Sequence, residues 1–325
     1  MKKSFLQKYG IVIVLVGICV VLSFMSPVFL TVSNLTNVVR QISMNGILAA
    51  GMTMVIITAG IDLSVGSQVA LTGAIVAGLQ PHGTWVAVFA GLLLGAFLGF
   101  TNGFIISKGG IPPFIVSVGM LTAARGLTLI YTGGRPIYDL NEDFRFIGAG
   151  YAGPIPVPVI ILAVVLLICH FLLSSTVFGR EVYAIGGNEE AARYSGIDID
   201  KRRMTVYTIM GILCAITGIV LTSRLNSADP TAGMGFELDA IAAVIIGGTS
   251  LFGGEGTILG TLIGALIIGV LNNGFNLLNV SSYYQQIFKG VIIVGAVLMD
   301  SYARKRQVTG GVIARKEGKA ASHLM

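Results

Sequence analysis

Apolar stretches long enough to cross a bilayer recur along almost the entire chain, and this feature constrains the fold more than any other. A hydrocarbon core about 30 Å thick needs roughly 20 apolar residues in helical form. Divided at its breaker residues, the sequence supplies ten candidates: 9–29, 43–60, 63–79, 85–107, 112–131, 156–173, 204–223, 240–252, 258–278 and 283–301. The eighth is short. Gly247, Gly248, Gly253, Gly254 and Gly256 around its end predict a bend or break, tolerated where protein or a water-filled cavity surrounds the chain. Of the 325 residues, 54% are hydrophobic and 11% charged, too few charges to build a water-exposed surface. The solvent is therefore lipid. The expectation is an all-α integral membrane protein with about ten transmembrane helices in one domain over 1–306, followed by a polar, disordered tail at 307–325.

An even number of spans puts both termini on one side, and the distribution of basic residues identifies that side. With both termini in the cytoplasm, the inner segments hold fifteen Lys and Arg and the outer ones four, Arg40, Arg135, Arg145 and Arg224; Arg125 and Lys289 remain inside spans. The net charge of +6 follows from this topology and makes no case for nucleic acid. Lys2, Lys3 and Lys8 precede the first stretch as they would a secretory signal. No small-residue cleavage pattern follows, and the run is long enough to span, so it reads as a retained helix. Cys19, Cys169 and Cys214 fall in apolar stretches without metal-binding spacing and read as small buried residues. No tandem repeat stands out; a five-plus-five division around the inner loop is the internal symmetry the spans admit.

Two hydrophilic segments are long: 132–153 outside and 174–203 inside. The inner one contains Asn188-Glu189-Glu190-Ala191-Ala192-Arg193-Tyr194-Ser195-Gly196. Asn188 is a good N-cap, the two glutamates face the positive end of the helix dipole, Arg193 lies near the other end, and Gly196 suits the left-handed C′ position. This predicts a helix of about two turns at the cytoplasmic surface. An ordinary amphipathic surface helix has the same pattern. Independent caps together with the flanking Arg180, Lys201, Arg202 and Arg203 favour a docking element.

Gly91, Gly95, Gly99 and Gly103 line one face of the fourth span, and Gly260 and Gly264 repeat the spacing on the ninth; both read as close helix packing. Ionisable groups are scarce at membrane depth. Asp62 and Asp239 sit at predicted span ends, and Arg125, His170 and Lys289 lie close enough to an end to snorkel. No span carries a central acid with a partner, which disfavours a proton relay. Neutral polar residues are more plentiful, and Asn45, Ser64, Gln68, Asn102, Asn272 and Asn276 are the candidates to line a path for an uncharged polyol. Asn272, Asn276 and Asn279 share a helix face by spacing. Interhelical hydrogen bonding is the competing role for all of them. Gly253-Gly254-Glu255-Gly256-Thr257 lacks the GK[ST] ending of a phosphate loop, and no GxSxG or HExxH motif occurs. No catalytic or metal residue is assigned, and any ATP chemistry must come from another polypeptide.

Three runs in order carry a resemblance: Gly60-Ile61-Asp62-Leu63-Ser64-Val65-Gly66-Ser67; Gly179-Arg180 through Gly186-Gly187-Asn188-Glu189 to Ser195-Gly196-Ile197; and Glu237-Leu238-Asp239-Ala240-Ile241-Ala242-Ala243-Val244 with Gly247-Gly248-Thr249-Ser250. They resemble the permease subunits of ribose-type monosaccharide ABC importers over nearly the whole chain. Leu271-Asn272-Asn273-Gly274 and Val280-Ser281-Ser282-Tyr283-Tyr284-Gln285 point within that family to ribose. The resemblance implies a type II-like permease in the bacterial inner membrane, working as a homodimer. Its implied partners are a cytoplasmic ATPase subunit that binds the ATP and Mg, and a periplasmic or lipid-anchored sugar-binding protein. It also implies that Asn188, Glu189, Glu190, Ala191, Ala192, Arg193, Ser195 and Gly196 are the residues of a coupling helix to the ATPase. Xylose, galactose, allose or a signalling sugar are alternative substrates, and a branched-chain amino acid permease is the runner-up within the class. An ion-coupled secondary transporter and an intramembrane enzyme are the readings from other classes.

Overall fold

The computed structural model describes residues 5–295 together with 297, 298 and 301, with side-chain environments described from residue 10 onward. The tail at 307–325, and Lys2, Lys3, Arg304, Lys305 and Arg306 of the charge argument, lie outside the described residues. In chain order the helices are α1 (Phe5–Met25), α2 (Val32–Ile57), α3 (Val65–Gly78), α4 (Thr84–Gly109), α5 (Pro113–Thr132), α6 (Glu142–Ala149), α7 (Val157–Ser175), α8 (Val177–Gly187), α9 (Glu189–Tyr194), α10 (Ile199–Leu225), α11 (Phe236–Ile246), α12 (Ile258–Leu277) and α13, residues 282–295. Every predicted span contains a helix. Among the described residues, α4, α5, α7, α10 and α12 are long and apolar enough to cross a membrane by themselves.

Two of the apolar helices fall short for a common reason. α2 runs 26 residues and stops at Ile57; residues 58–64 are not helical, and α3 then starts for only 14 residues. α10 runs 27 residues, Asn226 turns left-handed at φ 52°, a non-helical stretch returns into the bundle, and α11 starts at Phe236 for only 11. A helix of 14 residues reaches about 21 Å, short of a hydrocarbon core. Irregular backbone before each short helix is sustained because protein surrounds it. Packing repeats the same theme: α10 lies along α3 and α4, as α2 lies along α11 and α12, with α2 and α10 against each other between them. The boundary between the two sets of five apolar helices falls in the 133–156 segment after α5. The expected division around the inner loop is corrected accordingly.

Burial separates core helices from shell helices. From Ile42 to Ile57 α2 is buried on every side, with Tyr207, Met210 and Cys214 of α10 packed on it. α4, α5 and α7 instead turn Phe89, Phe97, Ile130, Leu167 and Phe171 outward, the surface expected of helices that face lipid. The glycine row of α4 permits its contact with α10: a Cβ on Gly99 would stand 3.0 Å from Gly211 Cα, and one on Gly95 2.6 Å from the Ala215 Cβ. Gly264 meets Gly247 at the end of α11 in the same manner.

Connecting segments gather at two ends of the bundle. At one, the Asn141 amide donates to Gln80 O at 3.0 Å, Ile137 pairs with Ala228, the Gly148 N–H donates to Ser223 Oγ at 2.7 Å, and Arg40 donates to Ala149 O at 2.9 Å. This end holds the predicted outer segment, which is more ordered than its polarity suggested: it forms α6 and two short antiparallel strands, β1 (Tyr151–Ala152) and β2 (Ile155–Pro156). At the other end, Lys108 pairs with Asp200 at 2.8 Å, and α8 covers the turns after α2 and α11.

Candidate functional site

The capped helix read from the sequence forms as α9. Asn188 Oδ1 accepts from Ala191 N at 2.9 Å, and Gly196, at φ +83°, donates its N–H to Arg193 O at 3.0 Å while Ile197 N reaches Ala192 O. α8, which lay unrecognised in the inner loop, precedes it with its own N-cap, Thr176. Ile185 of α8, Ala192 of α9 and Ile199 of α10 bury against one another and seat the unit. Ion pairs fix its pose: Glu189 bonds Arg203 at 2.6 Å and Arg193 at 3.4 Å, and Arg202 pairs with Glu181. The Arg203 guanidinium beside Glu189 holds its carboxyl below the ordinary carboxylate range.

Glu189 is therefore committed within the chain, while Glu190, Ala191, Arg193, Tyr194, Ser195 and Gly196 face outward. Tyr194 is 90% exposed and is the most prominent apolar group of α9, yet it was absent from the sequence-derived site. The signal was available, since with Ala192 turned inward residues 190 and 194, one turn apart, must face away. Inward, α8 touches two irregular joints. The Tyr183 hydroxyl donates to Gly256 O at 2.7 Å, and Gly186 packs against the backbone of Ile57 and Gly254, themselves joined by a Gly254 N to Ile57 O bond of 2.9 Å. Motion of α8–α9 thus bears directly on the end of α2 and on the α11–α12 turn.

The six polar path candidates do not form one line. Ser64, Gln68 and Asn102 come together: Gln68 Nε2 and Asn102 Nδ2 donate to Ser64 Oγ at 2.7 and 3.1 Å, and Ser64 donates to Asp62 Oδ1 at 2.5 Å. All four residues are fully buried, so Asp62 is not at a wetted span end as the sequence suggested. Asn272 belongs to a second group, donating to Asp239 Oδ2 at 3.2 Å. Lys289 Nζ lies 2.8 Å from Asp239 Oδ1, so Asp239, in the first turn of α11, is a buried acid with a partner and not a span-end group near water as expected. Asn276, exposed, accepts from Gln285 at 3.1 Å. Asn45 is buried on α2 and joins neither group. Asn279 lies past the end of α12 at φ +54°, off the face its spacing implied.

The cations inside spans were also misread. Arg125 does not snorkel outward; it donates to Pro230 O and Ala232 O at 2.5 and 3.1 Å and holds the stretch that leads into α11. Asn273 and Asn34 exchange reciprocal amide bonds of 2.8 and 3.1 Å between α12 and α2, the interhelical role weighed against a path. Asp62, Asp239, Lys289 and Arg125 are the residues sequence reasoning undervalued, because their depth depends on where α3 and α11 begin.

Residues 34–297 match the family described as branched-chain amino acid transport system / permease component. The chain is 49% identical to the ribose import permease protein of Escherichia coli K12 over 92% of its length and 95% of that protein's. It is 50% identical to the ribose import permease protein of Bacillus subtilis 168, covering 91% and 93%. The D-allose transport system permease protein of Escherichia coli K12 is 42% identical, covering 93% and 94%. No solved structure matches the chain. A bundle of apolar helices with a capped two-helix unit at one end, matched over 34–297 and by full-length relatives, establishes that the chain belongs to this permease family.

Proposed function

We propose that the chain is the membrane-spanning permease subunit of an ATP-binding-cassette importer that carries a monosaccharide, ribose before other sugars, across the bacterial inner membrane. The observation that carries this reading is identity of 49–50% over more than nine tenths of the chain to ribose import permeases from two bacteria. All ten apolar segments cross in a type II-like arrangement, α3 and α11 together with the irregular chain ahead of each, both termini are cytoplasmic, and 1–306 forms one permease domain. ATP and Mg bind a cytoplasmic partner ATPase, and the chain is a transport subunit rather than an enzyme. The permease pairs with a second copy of itself, and a periplasmic or lipid-anchored protein delivers the sugar.

In this reading α9 is the coupling helix, and Asn188–Gly196 docks on the ATPase within the 174–203 loop. Support comes from its protruding Tyr194 and Glu190 and from the contact of α8 with both irregular joints. ATPase closure biases the permease between inward- and outward-facing states only if docking contacts differ between them. The buried Asp62 and Asp239 remove the sequence argument against an ion-coupled carrier, and family membership takes its place. Allose, at 42% identity, and branched-chain amino acids, from the family description, define the runner-up cargoes.

Reconstitution of the permease in liposomes with its ATPase and binding protein tests the whole reading. ATP-dependent uptake, greatest for ribose in a panel of sugars and branched-chain amino acids, is the expected result. Uptake driven by a sodium or proton gradient without ATP overturns it.

A further inference from the structure

α12 and α13 form an antiparallel hairpin whose turn closes through Val280 N to Phe275 O and Gln285 Nε2 to Val280 O. Each helix carries two polar side chains one turn apart, Asn272 and Asn276 on α12, Gln285 and Lys289 on α13. Because the helices run in opposite senses, the residues meet in two rungs. The rung nearer the turn is the exposed Asn276 with Gln285, at 3.1 Å. The deeper rung is Asn272 with Lys289, both bonded to Asp239 in the first turn of α11. The polar strip therefore begins in the open and ends on a carboxylate whose side chain is only 6% exposed.

Packing does not explain this arrangement. A buried ion pair contributes little stability compared with apolar residues of the same volume, and ionisable groups at this depth mark pathways. The position of the deeper rung is also particular. α11 begins inside the bundle, where the backbone of Gly233 lies against that of Gly66 at the start of the other half-length helix; a Cβ on Gly233 would come within 2.5 Å of Gly66 O. Where two discontinuous helices start side by side in corresponding places of two halves, solute sites form. The Ser64–Gln68–Asn102 cluster, by contrast, is sealed on all sides.

From this geometry we infer that the Asp239–Lys289–Asn272 rung, reached past Asn276 and Gln285, is the contact point for the hydroxyls of the passing polyol. The inference rests on the sugar-permease reading above and names the residues of its path. The chemistry fits a vicinal diol, in which each hydroxyl donates once and accepts twice. Asp239 accepts only. The Lys289 ammonium can donate three times; one donor goes to Asp239 Oδ2 at 3.0 Å, and Oδ1, 2.8 Å away in the ion pair, accepts no hydrogen bond, so both the ammonium and Oδ1 keep capacity for a ligand hydroxyl. Asn272 Nδ2 is held by Asp239, so its carbonyl oxygen remains to accept. Phe275 and Phe288, stacked at 5.4 Å beside the rungs, supply an apolar wall.

The test is ATP-dependent uptake by the reconstituted transporter, comparing ribose with ribose analogues that each lack one hydroxyl, for wild type, Asn272→Ala and Lys289→Met. The binding protein and ATPase are the same throughout, so their selectivity cancels in the comparison with wild type. Loss of the hydrogen bond to the charged Lys289 is expected to lower ribose uptake by roughly tenfold or more, and loss of the neutral Asn272 acceptor by about two- to tenfold, while in each case one deoxy analogue is spared, narrowing the discrimination between them. Asn276→Ala and Gln285→Ala, near the open end of the strip, serve where a deeper variant fails to assemble, and narrow discrimination in the same sense. Unchanged uptake, or an equal fall for ribose and every analogue in all assembled variants, overturns the assignment while leaving the importer reading intact. Absence of ATP-dependent sugar uptake by wild type overturns both.

Discussion

At the scale of single residues, Glu189 and Glu190 are adjacent in sequence and opposite in role. Glu189 spends its carboxylate on Arg203 and Arg193, whereas Glu190 faces away from the bundle beside the protruding Tyr194. Charge reversal at Glu190 should then weaken docking without disturbing the fold. Glu190→Lys is expected to leave ATP hydrolysis by the assembled complex within about twofold of wild type, since a surface charge changes stability little, while uptake per ATP falls. Uptake and hydrolysis measured together in liposomes check this, and normal coupling in the variant removes α9 from the handover. Glu189→Lys should instead release the start of α9 from α10, because it places a third cation against Arg193 and Arg203. The same pair has a pH sense. A carboxyl held below its ordinary range contributes stability that is complete at neutral pH and is lost as pH falls through that depressed value.

At the scale of elements, the α4–α10 seam depends on what is missing. Gly95 and Gly99 face Gly211 and Ala215 so closely that any added side chain must part the helices. Gly99→Leu is expected to destabilise the bundle by about 3 kcal/mol or more, at the upper end of overpacking costs, because backbone atoms cannot move aside as side chains do. A lower midpoint of thermal unfolding in detergent would report it, and an unchanged midpoint would refute the seam. Gly83→Ala serves as the contrast in space, since nothing lies within 4 Å of a Cβ there, although its φ of +107° adds local strain. The two half-length helices belong to this scale as well. α3 and α11 are short because the chain ahead of each is irregular, and that irregular chain is held in place: Arg125 grips Pro230 and Ala232, and Asp62 accepts from Ser64 N at 2.8 Å.

At the scale of the whole molecule, the two ends of the bundle must face opposite compartments for α9 to meet a cytoplasmic motor. Tyr138 and Tyr194 report those ends, at 63% and 90% exposed, while Cys169 and Cys214 are buried. In intact cells a membrane-impermeant maleimide should label Tyr138→Cys and should reach Tyr194→Cys only after permeabilisation; the reverse pattern inverts the topology and ends the coupling proposal. The apolar helices, their order and the caps of α9 were legible because they depend on neighbours a few residues away: apolar run length, Asn188 at one end, Gly196 at the other. The sequence singles out Asn272 as a polar group for a substrate path, but it does not name what Asn272 bonds to. Its partners Asp239 and Lys289 lie 33 and 17 positions away in the chain and were taken for groups near water, as was Asp62. Sequence alone thus determined the solvent of this protein and the identity of its apolar helices, since both follow from local composition. Tertiary structure alone decided where α3 and α11 begin, and with that which charges are buried together, because burial is conferred by segments that only folding brings into contact.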